Sequence, residues 1–264
     1  RDAIRFTSHY RDLILVHTTP STLGYFIVND KIEASNNSDI VKIYFHPSSE
    51  KEVNITEVKR EYTAPIDHKP SIPLTKATFY YLTPPNDVNI EKSISAVQDR
   101  YPGYPEHNRL ESVYNIDNES LKKSISTLIF PNSNLVSKPN FEKIHSDNFY
   151  GLRFSINSYT DYIISTKIKS VEVDVFSASG DFIWCRKKSD NVYSFFVESG
   201  TSFKQNNFGF ESDSPVTIYV KDSKGVIISN GAKLKLNGSN LSGANFDSSV
   251  KVISQSENHI EVEL

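Results

Sequence analysis

Residues 216–228 read VTIYVKDSKGVII, two runs of β-branched and aromatic residues separated by a polar turn. Val, Ile, Thr and Tyr are enriched in strands, and Gly225 supplies the freedom at positive φ that tight turns need. The stretch therefore predicts a β-hairpin. Two other stretches have the same form, with strands that begin at Val171 and Val250 and turns at 177–180 and 255–258.

Short strand-like runs recur at even spacing from residue 151 to residue 264, which is typical of a sandwich or barrel. We therefore expect residues 146–264 to form an antiparallel β-sandwich. Within it, residues 182–185 read FIWC and are apolar on both sides. This predicts a central, buried strand in which Trp184 is packed and Cys185 is an inert thiol, followed by a solvated hairpin tip at 186–188.

Residues 1–145 predict an α+β domain. The runs 13–16, 25–28, 41–45 and 78–82 are rich in strand-forming residues. Helical spacing of apolar residues follows between 87 and 130, and it predicts a helical insert of about three pieces at Ile90-Ile94-Val97, from Pro105 to Tyr114, and at Leu121-Ile125-Leu128.

The stretch 131–148 is polar, contains Pro131 and Pro139, and lacks periodicity, so it predicts a linker between the domains 1–145 and 146–264. The whole chain is thus expected to be mainly β with an α+β first domain.

Composition limits the possible partners and the compartment. The 264 residues include no Met and one Cys, and their formal net charge is −3. Such a charge gives no field that would attract nucleic acid, and no run of 18 apolar residues predicts a membrane-spanning segment. The missing Met and the wealth of Ser, Asn and Tyr favour a mature, secreted or extracellular protein.

Sequence motifs with a defined chemical mechanism are missing from the chain. The sequence has no nucleophile elbow, phosphate-binding loop, zinc helix or paired cysteines, and no two of its seven histidines stand three to five residues apart. We therefore predict no catalytic residues, no metal and no cofactor.

Surface recognition is the better-supported function, because the chain has 14 Tyr and 16 Phe residues and tyrosine is favoured at interfaces and sugar platforms. Two stretches, 101–109 and 203–210, combine aromatic rings with polar groups. Each stretch also has a purely structural interpretation. The first would be a loop shaped by its prolines, and in the second the aromatic side chains would pack under a loop. The predicted ligand-binding residues are Tyr101, Tyr104, His107, Arg109, Phe203, Asn206, Phe208 and Phe210.

Arg5, on a short apolar run, and the stretch 80–89 resemble parts of the NAD-using ADP-ribosyltransferases of the cholera-toxin class. The resemblance implies an NAD site in the N-terminal domain, with Arg5 gripping the dinucleotide. The chain departs from that pattern in two ways. It lacks the Ser-Thr-Ser strand, and residues 105–111, where the Glu-x-Glu pair is expected, read PEHNRLE. Glu261 and Glu263 have the right spacing, which alternation on a terminal strand also explains.

These observations favour a secreted or surface-displayed binding or adhesion protein, associated with virulence or with a particle surface. Its predicted partner is a glycan or a protein. A toxin-like ADP-ribosyltransferase in the N-terminal domain is the alternative.

Overall fold

The computed structural model shows two compact units, Arg1–Lys138 and Pro139–Leu264. It describes residues 6–17, 24–46, 54–56, 61–66, 75–93, 107–116, 121–133, 139–189, 191–206, 208–221, 224–228, 234–236, 239–240, 251–256 and 259–263. Within these residues every regular element is a strand, and all strand pairs are antiparallel. The prediction of a mainly β chain is confirmed.

The first unit is built from two sheets. Its described strands are β1 Phe6–Val16, β2 Tyr25–Ala34, β3 Ile40–Phe45, β4 Asn54–Thr56, β5 Glu61–Ile66, β6 Thr75–Tyr81, β7 Asp87–Ser93, β8 His107–Asn115 and β9 Lys122–Ser133. Six of them form a sheet in the order β1-β2-β9-β6-β5-β4, and the remaining three form a second sheet in the order β3-β8-β7.

The inner faces of these two sheets share two apolar clusters. Ile32 and Ile125 of the six-stranded sheet lie in one cluster with Tyr114 of the three-stranded sheet. Phe79 lies in the other cluster with Leu110. Because side chains alternate along a strand, the opposite face of the three-stranded sheet is left for polar residues.

The prediction of a helical insert at 87–130 is wrong, because the described residues of this range form β7, β8 and most of β9. Strand β9 lies between β2 and β6, and residues 125–128 are buried on both sides. A strand buried on both faces has apolar residues at consecutive and alternate positions, so Ile125, Leu128 and Ile129 imitate a helical spacing. The first unit is therefore β rather than α+β in its described residues.

The second unit is built from antiparallel hairpins on a common sheet. Its described strands are β10 Phe141–Ser146, β11 Phe149–Ile156, β12 Tyr159–Thr166, β13 Ser170–Glu172, β14 Ser177–Ser179, β15 Phe182–Lys188, β16 Asn191–Gln205, β17 Phe208–Lys221, β18 Lys224–Ile228, β19 Leu234–Leu236, β20 Ser239–Asn240, β21 Lys251–Ser256 and β22 His259–Glu263. The main path runs β10-β11-β12-β15-β16-β17-β18-β22-β21.

Strands β16 and β17 are long, and each takes part in two layers. The first part of β16 pairs with β15 and its last part with β14, while β17 pairs with β18 at one end and β19 at the other. The register of β16 shifts around Gly200, next to Ser199 at φ 50°. Side chains from both layers fill one apolar core, among them Ile183, Phe195, Ile218, Phe203, Phe210 and Leu236.

Strand β15 is buried as predicted. Phe182, Ile183, Trp184 and Cys185 are at most 5% exposed, and β15 lies between β12 and β16. The expected hairpin tip after it is only partly correct. Arg186 is buried, whereas Lys188 is exposed, so the solvated tip begins later than the charges indicate.

Two of the three predicted hairpins are confirmed, β17–β18 at 216–228 and β21–β22 near residue 256. The third differs, because β13 ends at Glu172 and pairs with β14 rather than continuing to Phe176. The predicted linker at 131–148 is also too long, since β9 continues to Ser133 and β10 begins at Phe141. The division of the chain into two domains, 1–145 and 146–264, stays a prediction.

Candidate functional site

Three of the four predicted contact residues in the 203–210 stretch, the phenylalanines, lie on strands. Phe203 on β16 and Phe210 on β17 are 1% and 2% exposed and belong to the core. The Phe203 ring stacks on Phe195 with centroids 4.2 Å apart. Phe208 is half-buried, and its ring makes an edge contact with the Phe195 ring, with centroids 5.4 Å apart. These three phenylalanines stabilise the core, so we do not retain them as ligand contacts.

Asn206 occupies the turn between β16 and β17. Its φ is 51° and its side chain is exposed. Asparagine tolerates this left-handed conformation better than most residues, so its place in the turn is explained without a ligand.

The other predicted stretch is described only in part. Tyr101 and Tyr104 lie outside the described residues, and His107 begins strand β8. Arg109 follows on β8, and its side chain belongs to a polar cluster on the outer face of the β3-β8-β7 sheet. We call this surface the polar face, and it comprises Lys42, Tyr44, Asn89, Glu91, Arg109 and Glu111.

The register of three neighbouring strands brings the polar face together. Tyr44 and Asn89 lie opposite Glu111, on its two sides. Glu91 lies opposite Arg109. The intervening residues, such as Ile43 and Leu110, point inward to the core. Period-two alternation therefore places the six polar side chains on one side of a sheet.

Glu111 is the centre of the polar face. It is 4% exposed, and Lys42 Nζ donates to both of its carboxylate oxygens at 3.2 and 3.1 Å. Asn89 Nδ2 donates at 3.4 Å, and the Tyr44 hydroxyl also donates. Burial raises the pKa of Glu111, but the hydrogen bonds from Tyr44, Lys42 and Asn89 outweigh it, so the pKa lies below its usual value. Glu111 is therefore ionised at neutral pH.

Arg109 and Tyr44 form the second half of the polar face. Arg109 is paired with Glu91, and its guanidinium lies 4.8 Å from the centroid of the Tyr44 ring. Burial, followed by the hydrogen bond to Glu111, raises the pKa of the Tyr44 hydroxyl. The Tyr44 hydroxyl thus keeps its proton and donates a hydrogen bond to the Glu111 carboxylate. Each charged group of the cluster has an ion-pair partner, which restrains the side chains, although Arg109 Nε is buried without a hydrogen-bond partner.

The pKa shifts of the polar face keep its two central charges in their ordinary protonation states. Glu111 lacks the raised pKa that a general acid requires, and Lys42 is held protonated beside it, with its pKa raised by the Glu111 hydrogen bond. In the described part of the chain no group of three or more His, Cys, Asp or Glu side chains is placed to hold a metal ion. The described residues also include no helix with the length and apolar character needed to cross a membrane.

The residues that carry the resemblance to ADP-ribosyltransferases do not form a described site. Arg5 lies outside the described residues. The stretch 80–89 spans the end of β6 and the beginning of β7, and Glu261 and Glu263 lie on β22 in the other unit. An NAD site at Arg5 stays a prediction.

The sequence interpretation found Arg109 but missed Lys42, Tyr44, Asn89, Glu91 and Glu111. The missed signal is the alternation of polar and apolar residues in 87–91, which read DVNIE, and a helical interpretation of this range concealed it. The sequence matches no protein-family model and none of the curated proteins.

Proposed function

We propose that this chain is a binding protein that acts outside the cell and recognises a glycan through the polar face. The observation that supports the proposal is the pre-positioned set of planar polar groups around Glu111, beside the ring of Tyr44. Adhesion, to a host or on a particle surface, is the proposed use of that binding. The second unit, with a β-sandwich arrangement of its two layers, is proposed to support or present the first.

Carboxylate, amide and guanidinium groups match the paired hydroxyls of a sugar, because each offers two neighbouring donor or acceptor atoms. Three side chains of the polar face remain accessible to such a ligand. Lys42 is 43% exposed, Glu91 47% and Arg109 31%. Their mutual contacts fix their orientation before binding, which lowers the conformational entropy lost when a ligand arrives.

The charge balance of the polar face favours a neutral ligand. Lys42 is paired with Glu111, and Arg109 with Glu91, so neither cation is left to neutralise a phosphate or a sulfate. A polyanion would have to break one of these pairs. A neutral sugar needs only to add hydrogen bonds to them. Binding in this proposal requires no metal and no cofactor.

A glycan array probed with the whole chain tests the proposal, with two arginine variants as a matched pair. Arg109→Ala removes a guanidinium that is 31% exposed and paired with Glu91. Arg153→Ala removes one that is 33% exposed and paired with Glu142, on a strand of the second unit. We expect at least one neutral glycan to bind the wild type and the Arg153 variant, and to lose binding to the Arg109 variant.

Two results would overturn the proposal: no glycan bound by the wild type, or equal binding by both variants. Folding of each variant is checked by its circular dichroism spectrum and thermal midpoint, since the loss of an exposed ion pair changes stability by less than about 1 kcal/mol. Binding of the chain to NAD with label transfer, abolished by Arg5→Ala, would support the alternative enzyme.

A further inference from the structure

An apolar area lies on the same side of the β3-β8-β7 sheet as the polar face. Val113 follows Glu111 by two residues on β8 and is half-buried, and Ile40 on β3 is 48% exposed. Ile40 lies opposite Asn115, so its side chain is a diagonal neighbour of Val113 on one side of the sheet. We call these two residues the apolar shelf, and it adjoins the polar face at Glu111.

The apolar shelf is turned away from the core of the first unit. Ser112 and Tyr114, the neighbours of Val113 along β8, are both fully buried. Alternation along the strand therefore directs Val113 outward. Neither of the two apolar clusters named above includes Val113 or Ile40. Packing between the two sheets thus does not account for these two side chains, and they remain accessible to a ligand.

Val113 lies between two charged side chains of opposite sign. Lys42 on β3 and Asp87 on β7 are its direct partners in the register, and both are exposed. Asp87 accepts hydrogen bonds from Val88 N at 2.9 Å and from Asn89 Nδ2 at 3.2 Å. A carboxylate offers about four acceptor positions and an ammonium three donors, so both groups can bind a ligand while they keep their contacts within the protein. A donor and an acceptor therefore flank an apolar centre.

The spacing of the flanking strands matches the length of an amide. Strands β3 and β7 both neighbour β8, so their backbones lie about 9.6 Å apart, twice the spacing of adjacent strands. A peptide group in a central strand bridges the same distance, because its C=O accepts from one neighbour and its N–H donates to the other. A hydroxyl group has its donor and its acceptor on a single oxygen, and it is too short to reach both sides.

We propose that the apolar shelf and its two flanking charges bind the acetamido group of an N-acetylhexosamine, which presupposes the glycan binding proposed above. The methyl group packs on Val113 and Ile40. The carbonyl oxygen accepts a hydrogen bond from Lys42 Nζ, and the amide N–H donates to the Asp87 carboxylate. Arg109 lies about 13 Å away along β8, so the bound glycan has at least two sugar rings.

The same chemistry discriminates against related sugars. A hexose has a hydroxyl in place of the acetamido group, so it leaves the apolar shelf uncovered. A hexosamine with a free amine carries a positive charge, and this charge would lie beside Lys42. The acetamido group buries a methyl, and a buried group of this size contributes a factor of about four in affinity. With the added hydrogen bond, we expect the N-acetylated form of a glycan to bind about tenfold more tightly than its hexose counterpart.

Matched glycans test this preference with the whole chain. On an array, each glycan with an N-acetylhexosamine is compared with the glycan that has the hexose at the same position. Val113→Thr keeps the shape of the side chain but replaces a methyl by a hydroxyl, so the preference for the N-acetylated glycan should fall about fourfold, while binding of the hexose glycan is unchanged. Val175→Thr is the matched control, because Val175 is a half-buried valine of the second unit. This variant should keep the full preference.

The outcomes separate this inference from the proposed function. If the wild type binds no glycan at all, both are overturned. Binding that depends on Arg109 but does not distinguish N-acetylated from hexose glycans, or a preference that is unchanged in Val113→Thr, would refute the acetamido site and leave the proposed function standing. Acetylated lysine carries the same group on a protein, so free acetyl-lysine is included as a competitor. It should compete less than the free N-acetylhexosamine of the bound glycan, and equal competition would refute the assignment to a sugar.

Discussion

Arg186 and Asp161 lie directly opposite each other on β15 and β12 and form a buried ion pair with two hydrogen bonds. Arg186 Nε and Nη2 donate to Asp161 Oδ1 and Oδ2 at 2.7 and 2.6 Å. The two side chains are 5% and 2% exposed. The guanidinium also lies 5.3 Å from the centroid of the Trp184 ring. Since a one-residue slip of β15 would separate the charges, the pair fixes the register of these strands.

Removing one partner of this pair should destabilise the second unit strongly. Asp161→Ala leaves a buried guanidinium without its counter-charge, which costs about 3–5 kcal/mol of unfolding free energy. Glu142→Ala, which removes an exposed partner of Arg153, should cost less than about 1 kcal/mol. Urea denaturation at pH 7 measures both. Equal losses would show that the buried pair has no special role.

Trp184→Ala should leave a cavity beside β15, which lies between β12 and β16. Trp184 is 5% exposed, so we expect a loss of about 3–5 kcal/mol. Tyr219, whose ring centroid lies 6.5 Å from that of Trp184, is 38% exposed and serves as the control. Tyr219→Ala should lose clearly less in the same denaturant titration. A Trp184→Ala variant as stable as the wild type would contradict the burial of β15.

The thiol of Cys185 should not react with disulfide reagents while the protein is folded. The thiol is fully buried, so a reagent cannot reach it. Burial also raises the pKa of the thiol well above its usual value, so the reactive thiolate does not form. The unfolded thiol ionises near pH 8.5, so folding stability should decrease as the pH rises above that value. Cys185→Ala should remove this part of the decrease. Absorbance during labelling at pH 8, with and without denaturant, measures the reactivity.

The lowered pKa of Glu111 predicts a loss of stability in acid. The unfolded carboxyl titrates near pH 4.3 and the folded one below it, so the stabilisation is present above about pH 4.3 and disappears as the pH falls through the folded pKa. Glu111→Gln should be less stable than the wild type at pH 7 and should approach it near pH 3. Thermal midpoints at the two pH values provide the measurement. A constant difference between them would exclude the linkage.

Gly200→Ala should disrupt the bend of β16. A Cβ atom at this position would lie 2.2 Å from the backbone oxygen of Ser179 and 2.3 Å from Val197 Cγ1. Because a backbone atom cannot move aside without breaking the β14–β16 pairing, we expect a loss of more than about 2 kcal/mol. Gly151→Ala should cost less, because the closest atom there is Ile144 Cγ1, at 2.8 Å, on a side chain that can rotate. Chemical denaturation compares the two variants.

Local patterns determined what could be predicted from the sequence. The strand pairing of the hairpin at 216–228 follows from a pattern within thirteen consecutive residues, and it was predicted correctly. The predicted role of Gly225 in the turn was wrong, because Gly225 lies in β18 opposite Val220. The helical insert was predicted wrongly because the burial of both faces of β9 depends on β2 and β6, which lie elsewhere in the chain. Periodicity alone does not distinguish such a strand from a helix.

The sites depend still more on distant pairing. Arg186 resembled a solvated charge in the sequence, because its partner Asp161 is 25 residues away. Lys42 and Glu111 are 69 residues apart and meet only through the β3–β8 register. Arg109 was found because it stands among aromatic residues in a short stretch, whereas the rest of the polar face has no local signature.

The sharing of β16 and β17 between two layers has a mechanical consequence. A tensile force on either layer is transmitted along continuous covalent strands into the other, so the layers cannot slide apart as separate plates. Rupture of the second unit should then require its central strands to detach in a single event with a high force threshold. Such resistance to shear would serve the adhesive role that we propose for the chain.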